Sequence, residues 1–270
     1  MSEMGTSKNN LLQGSSAGFG FVALLDALGV SSYDIEAAKK FLGDRDWLLK
    51  QLEPLNKKFS EFEEEIPSPT IFSFGDTIIF TWNVGDDRIM KGLVPVAEWL
   101  NLAVMLGLSR KMLLRGSLAV GKYIAFENTV IGPAVADAAA WYEDADWFGV
   151  TLTPTTEYHL ISLIETWDKS NGSLDIEKWF VEYDVPRKGA TCKRQWVLSW
   201  PYQAWASDKP PSPIGTLATI LWDLPKPKGT EDKYRNTFEF YKWYGSNPHA
   251  RLKKHNKKNT ADAKSGAADL

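Results

Sequence analysis

Apolar positions along the chain alternate between a short-run and a helical spacing. Residues 19–30 form a compact apolar run broken by one carboxylate, Asp26. A run this short and this apolar predicts a buried strand ending in Ala27-Leu28-Gly29. Ser31, Ser32 and Asp34 then offer helix N-caps. Residues 35–65 carry helix formers and many charges, with Pro54 as a predicted break and Pro67 and Pro69 as a boundary. Residues 70–74 and 77–82 predict two strands joined by Gly75-Asp76, a hairpin turn. Ile89, Leu93, Val96, Leu100 and Val104 recur at helical spacing, with Pro95 early in that helix or kinking it. Residues 112–121 predict a strand, and residues 122–130 a loop leading to Gly132. Val135, Ala138, Ala139 and Tyr142 define a small-residue helix face. Residues 149–153 predict a strand, and Thr155 or Thr156 caps a helix ending near Trp167. Residues 179–185 and 193–200 predict a closing hairpin, and residues 214–222 and 230–244 two added helices. This order is an α+β pattern of the split βαβ, ferredoxin-like kind, an antiparallel sheet with flanking helices.

The pattern divides the chain into a disordered N-terminus at 1–18, a globular domain at 19–205, a helical extension at 206–250 and a disordered basic tail at 251–270. With 270 residues and 44% hydrophobic content, one sizeable core is expected. A formal net charge of -3 argues against nucleic acid as a partner over the whole surface. A single cysteine, Cys192, rules out a disulfide framework and points to an intracellular setting. The start is polar, without a signal-peptide pattern, and the longest apolar stretch, 93–108, is interrupted by Pro95, Glu98 and Asn101. A soluble cytoplasmic protein with no membrane partner is expected.

Asp26 is the first chemical anomaly. A carboxylate inside an apolar strand is costly without a partner, so it reads either as a metal ligand or as a strand-end residue capping the next helix. Asp76 reads either as a second ligand or as an ordinary turn residue. The predicted topology puts both at adjacent strand ends, where two acids offer hard oxygens to Mg²⁺ or Mn²⁺. Two such ions serve one in-line phosphoryl displacement. Ala27, Leu28, Gly29 and Val30 leave the strand in a turn whose backbone N–H groups can cradle triphosphate oxygens.

These residues resemble the class III nucleotide cyclases. The family's first motif corresponds to Asp26-Ala27-Leu28-Gly29 and its second to Phe72-Ser73-Phe74-Gly75-Asp76. Its third corresponds to Leu114-Arg115-Gly116-Ser117-Leu118-Ala119-Val120-Gly121, followed by Ile131-Gly132-Pro133-Ala134-Val135, Ala138-Ala139 and Val150-Thr151-Leu152-Thr153. The match spans roughly residues 19–155 in order. Two departures stand out. The family's transition-state Asn and Arg fall on Ala136 and Ala140, and its base-reading positions fall on Phe72 and Thr129, which does not support a purine pocket. A compact, divergent cyclase with an added Trp-Pro-bearing hairpin is similar to the pyrimidine cyclases of Pycsar anti-phage systems.

That resemblance implies conversion of UTP to 3′,5′-cyclic UMP and pyrophosphate as an infection signal, with CTP and cyclic CMP as the alternative. It also implies a homodimer with composite sites. Asp26, Asp76 and the Ala27 carbonyl would hold two Mn²⁺ or Mg²⁺ ions. Arg115, Lys122, Lys193 and Arg194 are the cations available to the phosphates, with Arg115 the catalytic candidate and Lys193 and Arg194 the triphosphate-binding ones. Two rival readings remain. One is a non-catalytic nucleotide-binding relative, favoured by Ala136 and Ala140. The other is a nuclease or polymerase-palm relative, which wants a basic groove, whereas the basic run at Lys253, Lys254, Lys257 and Lys258 lies in the tail.

Overall fold

The computed structural model describes residues 16–30, 34–60, 66–171, 176–189, 191–202, 213–224, 226 and 228–246. Its strands are β1 (Ser16–Ala27), β2 (Thr70–Phe74), β3 (Thr77–Asn83), β4 (Leu114–Phe126), β5 (Thr129–Ile131), β6 (Gly149–Leu152), β7 (Phe180–Arg187) and β8 (Thr191–Leu198). Its helices are α1 (Ile35–Ser60), α2 (Ile89–Ser109), α3 (Pro133–Asp144), α4 (Pro154–Asn171), α5 (Pro213–Asp223) and α6 (Glu231–Ser246). The strands form one eight-stranded sheet in the order β2-β3-β1-β4-β6-β8-β7, with β5 paired to β4. The sheet is mixed: β4 and β6 run parallel and the other neighbours antiparallel. The α+β class and flanking helices match the sequence pattern.

β1 lies between β3 and β4, and helices cover both faces of the sheet at this strand, which is why it is apolar on both faces. Phe21, Ala23 and Leu25 face the larger core with Ile78, Phe80 and Trp82 of β3. Leu93, Trp99 and Leu100 of α2 and Leu48 of α1 cover that side. Val22 and Leu24 point the other way and pack with Ala119 and Tyr123 under Ala134 and Ala138 of α3. The small residues of α3 let the helix sit close to the strands. Alternation continues this second face to Asp26 and, opposite it on β4, Arg115.

Several sequence expectations change. β1 begins at Ser16, so residues 16–18, expected to be disordered, belong to the central strand. α1 continues through Pro54. Residues 122–130, expected to be a loop, extend β4 to Phe126 and turn through Glu127 into β5. The 206–250 extension contributes α5 and α6, and Leu217, Leu221, Tyr234 and Phe240 join the same core as the sheet. Phe240 packs edge-on against Trp147 at 4.6 Å and Tyr183 at 4.7 Å. Residues 86–109, which include an 18-residue stretch of mean hydropathy 1.4, are long and apolar enough to cross a membrane by length and composition. Here Leu93, Trp99 and Leu100 are buried against the sheet. Asp34 caps α1 as expected, its Oδ1 accepting from Ala37 N at 2.8 Å. The expected caps Ser31 and Ser32 and the tail at 251–270 lie outside the described residues.

Candidate active site

Two strand ends bring the acidic residues together. Antiparallel pairing sets Asp26 of β1 opposite Thr77, the first residue of β3. Asp76 immediately precedes Thr77 in the two-residue turn from β2. Gly75, at φ 61°, takes the positive-φ first position of that turn, as a II′ hairpin requires. Ala27 N–H then donates to the Asp76 carbonyl at 3.1 Å, which ties the end of β1 to the hairpin tip.

On its other side Asp26 meets Arg115, its register partner on β4. The Arg115 Nη2 donates to Asp26 Oδ2 at 3.0 Å, with side chains only 9% and 13% exposed. Thr77 Oγ1 donates to Asp26 Oδ1 at 3.4 Å. Burial pushes the Asp26 carboxyl above its ordinary value. The Arg115 charge pulls it back in part, and the neighbouring Asp76 charge adds to the rise. Arg115 also donates through Nη1 to the Ala145 carbonyl at 3.3 Å and lies 5.1 Å over the Tyr142 ring. Its buried Nε has no hydrogen-bond partner among the described residues. Tyr142, on the last turn of α3, has its hydroxyl pKa raised by burial and then by the Asp26 charge.

The other anticipated residues fall in different places. The amides of Ala27 and Leu28 are committed, Ala27 to Asp76 and Leu28 to the Leu113 carbonyl at 3.0 Å. Both amides thus have backbone acceptors at the turn where a phosphate-cradling role is expected. In the same turn, Gly29 adopts φ 88° and Val30 is half-buried. Phe72 is buried on β2, whereas Thr129 is exposed on β5, and these two strands do not pair. Ala136 and Ala140 are exposed on α3. Lys122 is exposed, seven positions beyond Arg115 on β4. Lys193 of β8 lies 4.2 Å over the Trp141 ring. Arg194 is engaged across the hairpin with Glu182 at 3.4 Å and Asp184 at 3.6 Å.

The donor chemistry fits a divalent cation. Asp26 and Asp76 supply hard carboxylate oxygens, and a cation beside Asp26 would offset the cost of its burial. The roles of Thr77, Tyr142 and the Ala145 carbonyl were not anticipated. Thr77 was within reach, since a residue following Gly-Asp at the start of a strand sits beside the opposing strand end. Tyr142 carried only a packing signal.

No protein-family profile and no curated protein sequence matches the chain. Among solved structures, the chain is similar to the catalytic core of a rhodopsin-guanylyl cyclase with converted specificity in complex with ATPαS. The identity is 12% and the TM-score 0.40, over 68% of this chain and 97% of that one. It is also similar to the guanylyl cyclase Cya2, at 11% identity and TM-score 0.39, over 68% of this chain and 92% of that one.

Proposed function

We propose that this chain is a nucleotide cyclase that converts UTP to 3′,5′-cyclic UMP and pyrophosphate, serving as a signal of phage infection in the manner of the Pycsar systems. The observation that carries the reading is the meeting of Asp26 and Asp76 at neighbouring strand ends, with Arg115 beside them. Asp26, Asp76 and the Ala27 carbonyl would hold two Mg²⁺ or Mn²⁺ ions. When bound, these ions acidify the ribose 3′-hydroxyl and neutralise phosphate charge. In the reaction the 3′-oxygen bonds to the α-phosphorus, the bond from that phosphorus to the bridging oxygen breaks, and pyrophosphate leaves. The hydroxyl proton passes to solvent. Arg115 is held by Asp26, the Ala145 carbonyl and the Tyr142 ring, so its charge is oriented in advance toward an anion at the acidic pair. In a homodimer with composite sites, a partner copy would supply the base pocket. Phe72 and Thr129 occupy the base-reading positions, and neither side chain pairs with a purine's hydrogen-bonding edge as a charged residue does.

A non-catalytic nucleotide-binding relative is the second reading. The exposed methyls of Ala136 and Ala140 favour it, since neither can donate to a transition state. The discriminating experiment incubates the purified protein with Mn²⁺ and each of the four NTPs, followed by mass spectrometry of the products. Cyclic UMP with stoichiometric pyrophosphate, absent in Asp26→Asn and Asp76→Asn, is expected. Cyclic CMP as the main product moves the assignment to CTP. Tight nucleotide binding without any cyclic product supports the second reading.

A further inference from the structure

We propose that helix α6 completes a phosphate-chain subsite, with Lys233 joining Arg115 and Lys188 around the connection between α3 and β6. Three elements deliver these cations to one short segment. Arg115 of β4 donates to the Ala145 carbonyl at 3.3 Å. The backbone N–H of Lys188, just past β7, donates to the Asp144 carbonyl at 3.0 Å, and Asp146 N–H returns a bond to Pro186 at 2.9 Å. From α6, Asn236 Nδ2 donates to the Asp146 carbonyl at 2.7 Å. Thr237 Oγ1 accepts from Phe148 N–H at 2.8 Å and donates to the Lys233 carbonyl at 2.7 Å. The first turn of α6 is thereby fixed beside the strand end that carries Arg115.

Lys233 is poorly placed for a cation in isolation. It is half-buried and sits third in a helix whose N-terminal dipole end repels positive charge. Burial and then the Arg115 charge lower its pKa, Lys188 adds to the drop, and Asp146 and Asp26 oppose it. Lys188 and Lys233 form no ion pair among the described residues. Arg115, 7% exposed, adds a buried Nε without a partner. Cations gathered at this cost are stabilised by a polyanion. Its β- and γ-phosphates would lie over Lys233 and Lys188 when its α-phosphate is at Asp26 and Asp76. The nucleotide reading supplies the source of that chain, and the subsite itself is testable without it.

The test is calorimetric titration of the full chain with inorganic tripolyphosphate in EDTA. The wild type is expected to bind. Lys233→Gln should weaken binding on the order of tenfold, as loss of a charge-assisted hydrogen bond does, and Lys233→Arg should retain it. In low salt without ligand, Lys233→Gln should melt at or above the wild-type temperature, because it removes repulsion. A lower melting temperature would assign Lys233 a structural role and overturn the proposal. So would unaltered tripolyphosphate binding by Lys233→Gln, or no binding by the wild type. Tripolyphosphate binding with no cyclic product from any NTP leaves the subsite standing and removes the cyclase reading. Cyclic product with an indifferent Lys233→Gln removes only the subsite.

Discussion

Asp26→Asn separates the carboxylate's role as the counter-ion of Arg115 from its role toward a cation. The Arg115 and Asp26 side chains are 9% and 13% exposed. Removing one partner of a buried pair costs about 3–5 kcal/mol when the remaining charge has nothing else. Arg115 keeps the Ala145 carbonyl and the Tyr142 ring, and an Asn oxygen still accepts from it. Losing the burial cost of the carboxylate recovers a further part. Since the Asp26 carboxyl stays above its ordinary value even beside Arg115, Asp26→Asn should melt at or slightly above wild type at pH 7, whereas Asp26→Ala, which leaves Arg115 without that acceptor, should lose about 2 kcal/mol, or roughly 4–8 °C at ~2–4 °C per kcal/mol. Asp76→Asn removes a charge that acts unfavourably on Asp26 and should stay within ~0.5 kcal/mol of wild type. Thermal unfolding followed by fluorescence in EDTA reads all three. Equal melting of Asp26→Ala and Asp26→Asn, or a larger loss in Asp76→Asn than in Asp26→Ala, would refute the assignment of Asp26 as the acceptor that holds Arg115.

Phe240→Ala should cost about 3–5 kcal/mol and shift a single urea transition, because Phe240 is fully buried among Trp147 and Tyr183. An unshifted main transition would mean that α6 folds apart from the sheet. Glu157 has its pKa raised by burial, against an opposing hydrogen bond from Trp196 N–H at 2.8 Å. A raised acid pKa means that the folded state holds the proton more tightly, so stability falls as pH rises from the ordinary value of 4.5 through the folded value. Glu157→Gln should therefore gain stability relative to wild type at pH 7 and lose that advantage below pH 4.5 in urea titrations. Gly116→Ala should destabilise by about 1–3 kcal/mol, since a Cβ there would meet the Leu24 carbonyl oxygen at 2.2 Å; a neutral result in thermal unfolding would contradict that packing.

The strand ends that carry Asp26 and Asp76 were legible because both signals are local: an acid interrupting an apolar run, and Gly-Asp between two strand-like segments. Their meeting followed from topology alone. The Arg115 pair was not legible, because it depends on the register of β1 against β4, set 89 residues apart. The start of β1 was missed because Ser16, Ala17 and Gly18 continue the Ser- and Gly-bearing composition of the segment before them. In the fold, Gly20 faces the Trp82 carbonyl so closely that a Cβ would approach it to 1.9 Å. Pro54 was overweighted as a break: a proline removes one helical hydrogen bond, and α1 tolerates that loss at an exposed position. Lys188 and Lys233 carried no signal at all, since their neighbourhood arises only once α6 docks on Asp146 and Phe148.

Direct titration of Mn²⁺, followed by electron paramagnetic resonance in the presence of 3′-deoxy-UTP, bears most closely on whether the two acids grip cations together. About two tightly held ions per wild-type chain are expected, with affinity falling at least roughly tenfold in Asp26→Asn and in Asp76→Asn as a charged ligand is lost. Wild-type Mn²⁺ binding by the doubly substituted Asp26→Asn/Asp76→Asn protein would show that the two acids are not the cation ligands.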